Sequence, residues 1–258
     1  MLTAAETESL RSLILSSDNI ILCCHRSPDG DALGSLLGMA EFLRQQGKVP
    51  VAVVPDAYPD FLQWLPGTER IIRYDKHKSF VDGLLASADL VFCLDFNTFS
   101  RTDDMADTLA TSPAKKVLVD HHLNPDIDTE LCVSHPEACK LVFRLIWQLG
   151  SFDMMTRKGA VPLYCGMMTD TGGFTYNSTR PEIFFIISQL LTKGIDKDKI
   201  YRNVYNNYSE WRMRLIGYVL NEKMVVMQEE RAAYFVLTRD DLKRFHYIKG
   251  DAEGLVNM

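Results

Sequence analysis

The chain has 258 residues, 47% of them apolar and 24% charged, enough for a sizeable core in one large domain or two ordinary ones. A net charge of −6 excludes a protein that coats long nucleic acid electrostatically, whose surface would be basic, yet leaves room for a small anion held through metal ions. Six cysteines without CxxC spacing, a polar amino terminus and no membrane-length apolar run point to a reducing, cytoplasmic setting with no membrane partner.

Residues 2–15 read as an amphipathic helix packed outside a sheet. The run Ile20-Ile21-Leu22-Cys23-Cys24 is short and continuously apolar, the pattern of a strand buried on both faces. It leads into His25-Arg26-Ser27-Pro28-Asp29-Gly30-Asp31, where Pro28 and Gly30 let the loop turn back. From Leu33 onward Leu36, Leu37, Ala40 and Leu43 recur at a helical period, up to residue 46. His25, Asp29 and Asp31 therefore sit beyond the carboxyl end of a strand, where open α/β sheets bind ligands. Imidazole with carboxylates suits a divalent ion such as Mn²⁺. For this stretch alone, a simpler reading is a polar loop with Asp29 or Asp31 capping the helix.

Gly47 stops that helix, and residues 49–54 form a second strand. Residues 55–67 carry three prolines with Phe61, Trp64 and Leu65, a loop anchored by aromatics. Ile71-Ile72 is a short third strand, Lys76-His77-Lys78 a charged loop, and residues 80–88 a helix. Another buried-type strand, Leu90-Val91-Phe92-Cys93-Leu94, ends at Asp95, and a further one over residues 116–119 ends at Asp120-His121-His122. Three strands thus finish on metal-competent residues. In a chain that alternates β with α, they converge on one crevice of a parallel sheet.

Residues 138–149 and 158–169 are helical, the second leading to Asp170 just before Gly172 and Gly173, which permit a sharp exit. Residues 180–193 form an apolar helix. Beyond it, residues 196–221 read as one tyrosine-rich helix, 223–228 and 232–237 as a hairpin, and 239–245 as a short helix. Leu255-Val256 looks like the beginning of one more strand. The expected fold is α/β: a mostly parallel sheet with helices on both faces over residues 1–195, a helical connector over 196–221, and the incomplete start of a second small α/β domain over 222–258.

Taken together, His25-x-x-x-Asp29-x-Asp31-x-x-Gly34-Ser35, Asp95, Asp120-His121-His122 and Asp170-Thr171-Gly172 resemble the blocks of the DHH phosphoesterase family in order and spacing. Within it, Val119-Asp120-His121-His122-Leu123-Asn124-Pro125, residues 169–179 and Gly254-Leu255-Val256-Asn257 look most like the NrnA-type bifunctional oligoribonucleases and pAp phosphatases. The resemblance implies a two-metal site, usually Mn²⁺, with Mg²⁺ or Co²⁺ as substitutes. It implies His25, Asp29 and Asp95 on one ion, and Asp31, Asp95, His121 and Asp170 on the other, Asp95 bridging. His122 would face the scissile phosphate, and Asp120 would orient the histidines. The implied partner is a short RNA or small nucleotide, pApA cleaved to mononucleotides or pAp to AMP, with a homodimer compatible. Such enzymes also carry a DHHA1 domain with a glycine-rich nucleotide-holding motif. That motif is absent here, so the chain is expected to stop within that domain.

Two other functions stay open: a cyclic-dinucleotide phosphodiesterase, and a nucleotide-binding regulatory module without chemistry. A manganese pyrophosphatase shares the ligand pattern but not the tail. Arg101 either contacts a phosphate bidentately or is a solvated surface arginine. Phe174, Tyr176 and Asn177 either flank a base or belong to the core. Tyr201, Tyr205 and Tyr208 form a helical stripe that reads as connector packing, with base stacking as the alternative. His135 and His246 have no ligand-like neighbours in sequence.

Overall fold

The computed structural model describes residues 2–134, 141–252 and 254–255. Strands β1 (Ile20–Cys23), β2 (Val51–Val54), β3 (Ile72–Arg73), β4 (Leu90–Leu94), β5 (Lys115–Asp120) and β6 (Leu131–Ser134) form one sheet. Its order is β3-β2-β1-β4-β5-β6, and every pairing is parallel. The connections run outward from β1 in one direction and from β4 in the other. The switch point therefore lies between β1 and β4, and a crevice opens there beyond the carboxyl ends of the strands.

Both faces of the sheet are buried at its centre, so β1 and β4 read as continuous apolar runs. Ile20, Leu22, Phe92 and Val119 face a large core built with helices α1 (Ala4–Ser16), α2 (Gly30–Gln45), α5 (Leu141–Gln148), α6 (Arg157–Asp170) and α7 (Pro181–Leu191). Ile21, Cys23, Val91 and Leu118 face the opposite way, toward a smaller core with α3 (Tyr74–Ala86) and α4 (Ala106–Thr111). Successive residues of one strand thus feed two different cores, as the two-residue side-chain period requires.

Helices α2 and α6 approach at backbone distance. A Cβ added to Gly34 would lie 2.6 Å from the Pro162 carbonyl oxygen, and one added to Gly166 would lie 2.9 Å from the Gly30 oxygen. This close crossing brings the first turn of α2 beside the last turn of α6, and with them Asp31 beside Asp170.

The connector is not one helix. It breaks into α8 (Lys197–Tyr205) and α9 (Glu210–Tyr218), because the Ser209 side chain accepts from the Arg212 N–H at 3.0 Å and starts a new helix. A wider π turn over Val219–Lys223 leads to an antiparallel hairpin, β7 (Val225–Met227) with β8 (Ala232–Tyr234), and to α10 (Arg239–Arg244). Leu215, Ile216, Val219, Phe245 and Leu255 pack as a separate small core.

Some local expectations need correction. Lys76-His77-Lys78 lies inside α3, which starts at Tyr74 because its buried ring anchors the first turn under the sheet. Helix α4 and strand β6 had no sequence signal of their own. β6 buries only Leu131 and Val133 and exposes Cys132, too short an alternation to stand out. His135, Cys139, the first residues of the helix expected from 138, and Val256-Asn257 lie outside the described residues. Among the described residues no helix is long and apolar enough to cross a membrane.

Candidate metal centre

Each block of the site hangs on a structural device that the local sequence explains. His25 follows β1 and is buried. Its Nδ1 lies 2.7 Å from the Arg26 carbonyl, which can only accept, so Nδ1 carries a proton and Nε2 is the atom turned to the crevice. That Nε2 faces Asp95 Oδ2 at 3.5 Å and Asp29 Oδ1 at 4.0 Å. Asp29 also caps α2, its Oδ1 accepting the N–H groups of Asp31 and Ala32 at 2.9 and 3.0 Å. The capping and metal readings of this loop are therefore compatible in one side chain.

Asp95 ends β4 with a left-handed backbone, φ 63°, a conformation that aspartate tolerates better than most residues. Its N–H still continues the ladder to Val119, so the turn comes immediately after the last sheet bond and aims the carboxylate into the crevice. Asp95 is 5% exposed, and its Oδ1 is fully buried without a well-directed hydrogen bond. His121 Nε2 approaches that oxygen at 3.2 Å and Asp31 Oδ2 at 3.9 Å. Asp170, the last residue of α6, joins Asp31 and His121 in a second cluster whose ligand atoms lie within 4.8 Å of one another. His25, Asp29 and Asp95 form the first.

Asp120 is buried under its neighbour. It accepts from His122 Nδ1 at 2.7 Å and from the His122 N–H at 3.1 Å, whereas no contact to His121 of that kind joins it. Among the described residues, His122 is thus the histidine that Asp120 is placed to orient. His122 Nδ1 also lies 3.8 Å from Asp95 Oδ1, but it is committed to Asp120 and leaves Nε2 as its remaining polar atom.

The electrostatics follow from crowding. Asp95 above all, with Asp31 and Asp170, pushes the His121 imidazole up to about 9 against the opposing pull of burial. Burial lowers the His25 imidazole, but Asp95, the Arg26 carbonyl and Asp29 together raise it above its ordinary value. Burial likewise raises the Asp95 carboxyl, and the close imidazoles of His121 and His25 outweigh it, holding Asp95 below the usual carboxylate range. Asp170 stands at the negative end of the α6 dipole, an unfavourable place for a carboxylate without a cation.

Divalent ions fit this donor set on three counts. A buried carboxylate oxygen is left without a proper hydrogen bond. The donors are carboxylate oxygen and imidazole nitrogen, compatible with ions such as Mn²⁺. A small open cavity of about 20 Å³ is lined by Asp31, Ser35, Asp95 and His121 against Val119, Leu141 and Val142, room for one water-sized species.

Residues 19–167 match the DHH family, N-terminal domain. The chain belongs to the DHH family. This DHH chain is 26% identical over 97% of its length to a bifunctional oligoribonuclease and PAP phosphatase NrnA of Bacillus subtilis, of which it covers 76%. It is 30% identical, over 78% of its length and 58% of the relative's, to the protein so named in Thermus thermophilus. The crystal structure of an exopolyphosphatase-related protein from Bacteroides fragilis superposes with a TM-score of 0.94 at 49% identity, over all of this chain and 77% of that one.

The weaker site candidates fall nearby without joining the clusters. Arg101 is half-buried, and its carbonyl accepts the Arg26 N–H at 2.7 Å, which ties it through backbone to the loop that carries His25 and Asp29. Asn177 is exposed in a left-handed turn, φ 48°, next to Tyr176. One supporting network had no sequence signal. The Ser27 N–H donates to Asp56 Oδ1 at 2.5 Å, and Lys249 reaches across from the carboxy-terminal region to Asp56 Oδ2 at 2.8 Å. Residues more than two hundred positions apart thereby brace the loop between His25 and Asp29, and no local pattern encodes such a pairing.

Proposed function

We propose that this centre is a two-metal phosphoesterase acting on short oligoribonucleotides and small nucleotides, with pApA and pAp as representative substrates. The observation that carries the reading is the pairing of two ligand clusters, His25 with Asp29 and Asp95, and Asp31 with His121 and Asp170, which His121 Nε2 joins by lying 3.2 Å from the buried Asp95 Oδ1 at the switch point of the sheet. The NrnA-named relatives support the substrate class.

His25, Asp29 and Asp95 would hold one ion, and Asp31, Asp95, His121 and Asp170 the other. When bound, divalent ions supply charge stabilisation at a phosphoryl group and a nucleophile competent at neutral pH. The chain's own residues supply orientation. The Arg26 carbonyl fixes the His25 tautomer, the α2 N-terminus holds Asp29, and Asp120 holds His122 by Nδ1. His122, with Nδ1 held by Asp120, would turn Nε2 to a phosphoryl oxygen or to the departing ribose oxygen. The loops around His121 are half-exposed, so a small phosphoester has access from solvent.

The test is hydrolysis by purified protein with Mn²⁺ of pApA, pAp, cyclic di-AMP, pyrophosphate and inorganic polyphosphate, the last because of the name of the Bacteroides relative. Faster turnover of pApA or pAp than of the other three is expected. Turnover confined to pyrophosphate or polyphosphate would overturn the nucleotide reading, and no turnover of any would leave the regulatory module in its place.

A further inference from the structure

Beside the metal loop lies a second cavity of about 330 Å³, within the size range of small-molecule sites. Its walls are Phe61, Thr169, Gly172, Tyr176, Tyr205 and Tyr208. We propose that this cavity is the nucleobase subsite of the centre, holding by stacking the base of the nucleoside attached to the scissile phosphate. The proposal rests on the phosphoesterase reading above and names where that site grips its substrate.

Position is the first argument. Thr169 immediately precedes Asp170, and its side chain packs against Gly30, where an added Cβ would lie 2.2 Å from Thr169 Oγ1. Gly30 stands between Asp29 and Asp31. The cavity wall and the metal loop are thus back to back, so a phosphoester at the centre has its nucleoside within reach of the cavity.

The second argument is the construction of the walls. Gly172 (φ 53°) and Gly173 (φ 69°) turn the chain away from α6 and leave bare backbone under aromatic rings. A Cβ on Gly172 would collide with the Tyr176 ring at 2.1 Å, while one on Gly173 would touch Tyr201 and Tyr205 at 3.5 and 3.7 Å. Tyr205 is pinned, its hydroxyl donating to the Met168 carbonyl at 3.1 Å. Tyr176 and Tyr208, in contrast, are 49% and 46% exposed. Tyrosines that served packing alone would have closed their rings against the fold. The break between α8 and α9 instead turns Tyr208 to the cavity.

The third argument is chemical. Aromatic faces accept any base by its π surface, which is tolerant of sequence. Arg212, which also lines the cavity, stacks its guanidinium over the Tyr208 ring at 5.0 Å, adding a planar cation beside the aromatic floor. One guanidinium among rings suits a single nucleoside with one phosphate and not the run of phosphates of a long strand. That agrees with a chain whose net charge is −6.

The test measures binding without catalysis. Adenosine, which has no phosphate for a metal centre to hold, is titrated into protein kept in EDTA, and binding is read from tyrosine fluorescence and equilibrium dialysis. Tyr208→Ala and Tyr176→Ala should each weaken adenosine about 5- to 150-fold, the span of one base–aromatic stack, and Tyr208→Phe should restore it. With pApA and Mn²⁺ the loss should fall mainly in KM. Circular dichroism checks that the variants fold, and the two tyrosines stand in different segments, so one misfolded variant still leaves the other to decide. Adenosine affinity unchanged in both alanine variants would overturn the proposal. Failure of the phosphoesterase reading shows separately, as wild-type protein that turns over no phosphoester, and leaves the adenosine titration to judge the cavity.

Discussion

The crossing of α2 and α6 makes a prediction that can be worked out in numbers. Gly34→Ala places a Cβ 2.6 Å from the Pro162 carbonyl oxygen and 3.0 Å from Gly166 Cα, both backbone atoms that cannot swing aside. Overpacking of this kind costs about 1–3 kcal/mol. Against it stands the gain of about 0.5–1 kcal/mol for replacing glycine by alanine within a helix. The net expectation is a loss of up to about 2.5 kcal/mol, a fall in Tm of up to about 10 °C for a domain of this size. Gly83 is the control. It lies inside α3, is exposed, and has nothing within 4 Å of its added Cβ, so Gly83→Ala should stabilise by about 0.5–1 kcal/mol. Metal affinity gives a second readout, because parting the helices separates Asp31 from Asp170. Urea unfolding in EDTA yields the stabilities, and titration with Mn²⁺ yields the binding. If Gly34→Ala raised Tm as Gly83→Ala does, the two helices would not meet as described and the placement of Asp31 beside Asp170 would lose its cause.

Other expectations follow from single residues. Asp95→Ala should lose both ions together while Asp31→Ala loses mainly one, measured by elemental analysis after gel filtration; full occupancy in the Asp95 variant would remove it from the bridging position. His122→Ala should keep its metals but lose turnover of pApA, since Nδ1 is already held by Asp120 at 2.7 Å; metal loss equal to that of His121→Ala would mean that His122, which also clusters with Asp95 and His121, is a ligand. Burial pushes the Cys24 thiol far above its ordinary range and raises Cys132 less, with Cys132 exposed. Because only the thiolate reacts, iodoacetamide should label Cys132 in the folded protein at a rate that keeps climbing with pH after an ordinary thiol has levelled off, and should spare Cys23, Cys24, Cys93 and Cys165 until urea is added. Mass spectrometry locates the label, and early labelling of Cys24 would contradict its burial.

Much of this protein is legible along the chain because its signals are local. A segment buried on both faces must be apolar at every position, so β1, β4 and the Val117–Val119 part of β5 announce themselves, and His25, Asp95 and Asp120 are the first polar residues after them. Turn chemistry marks the loop at Pro28 and Gly30 and the exit at Gly172 and Gly173. Once three strands end on His or Asp in an alternating β and α chain, the parallel sheet and its crevice follow from general rules of connection. The elements that escaped are those whose residues are explained by their neighbours in space. β6 is a two-residue alternation at the sheet edge, and the break before α9 depends on which of several polar residues wins the cap. The distances among ligands, the partner chosen by Asp120, and the brace of Lys249 on Asp56 are set by tertiary packing. Asp31 meets Asp170 only because two helices far apart in sequence cross on glycines, and Tyr208 faces a cavity only because the connector bends. Sequence by itself determined which residues are competent to bind a metal, since side-chain type and strand ends are local facts. The tertiary structure alone decided which of them touch, because contact is a property of packing between segments and is written in none of them separately.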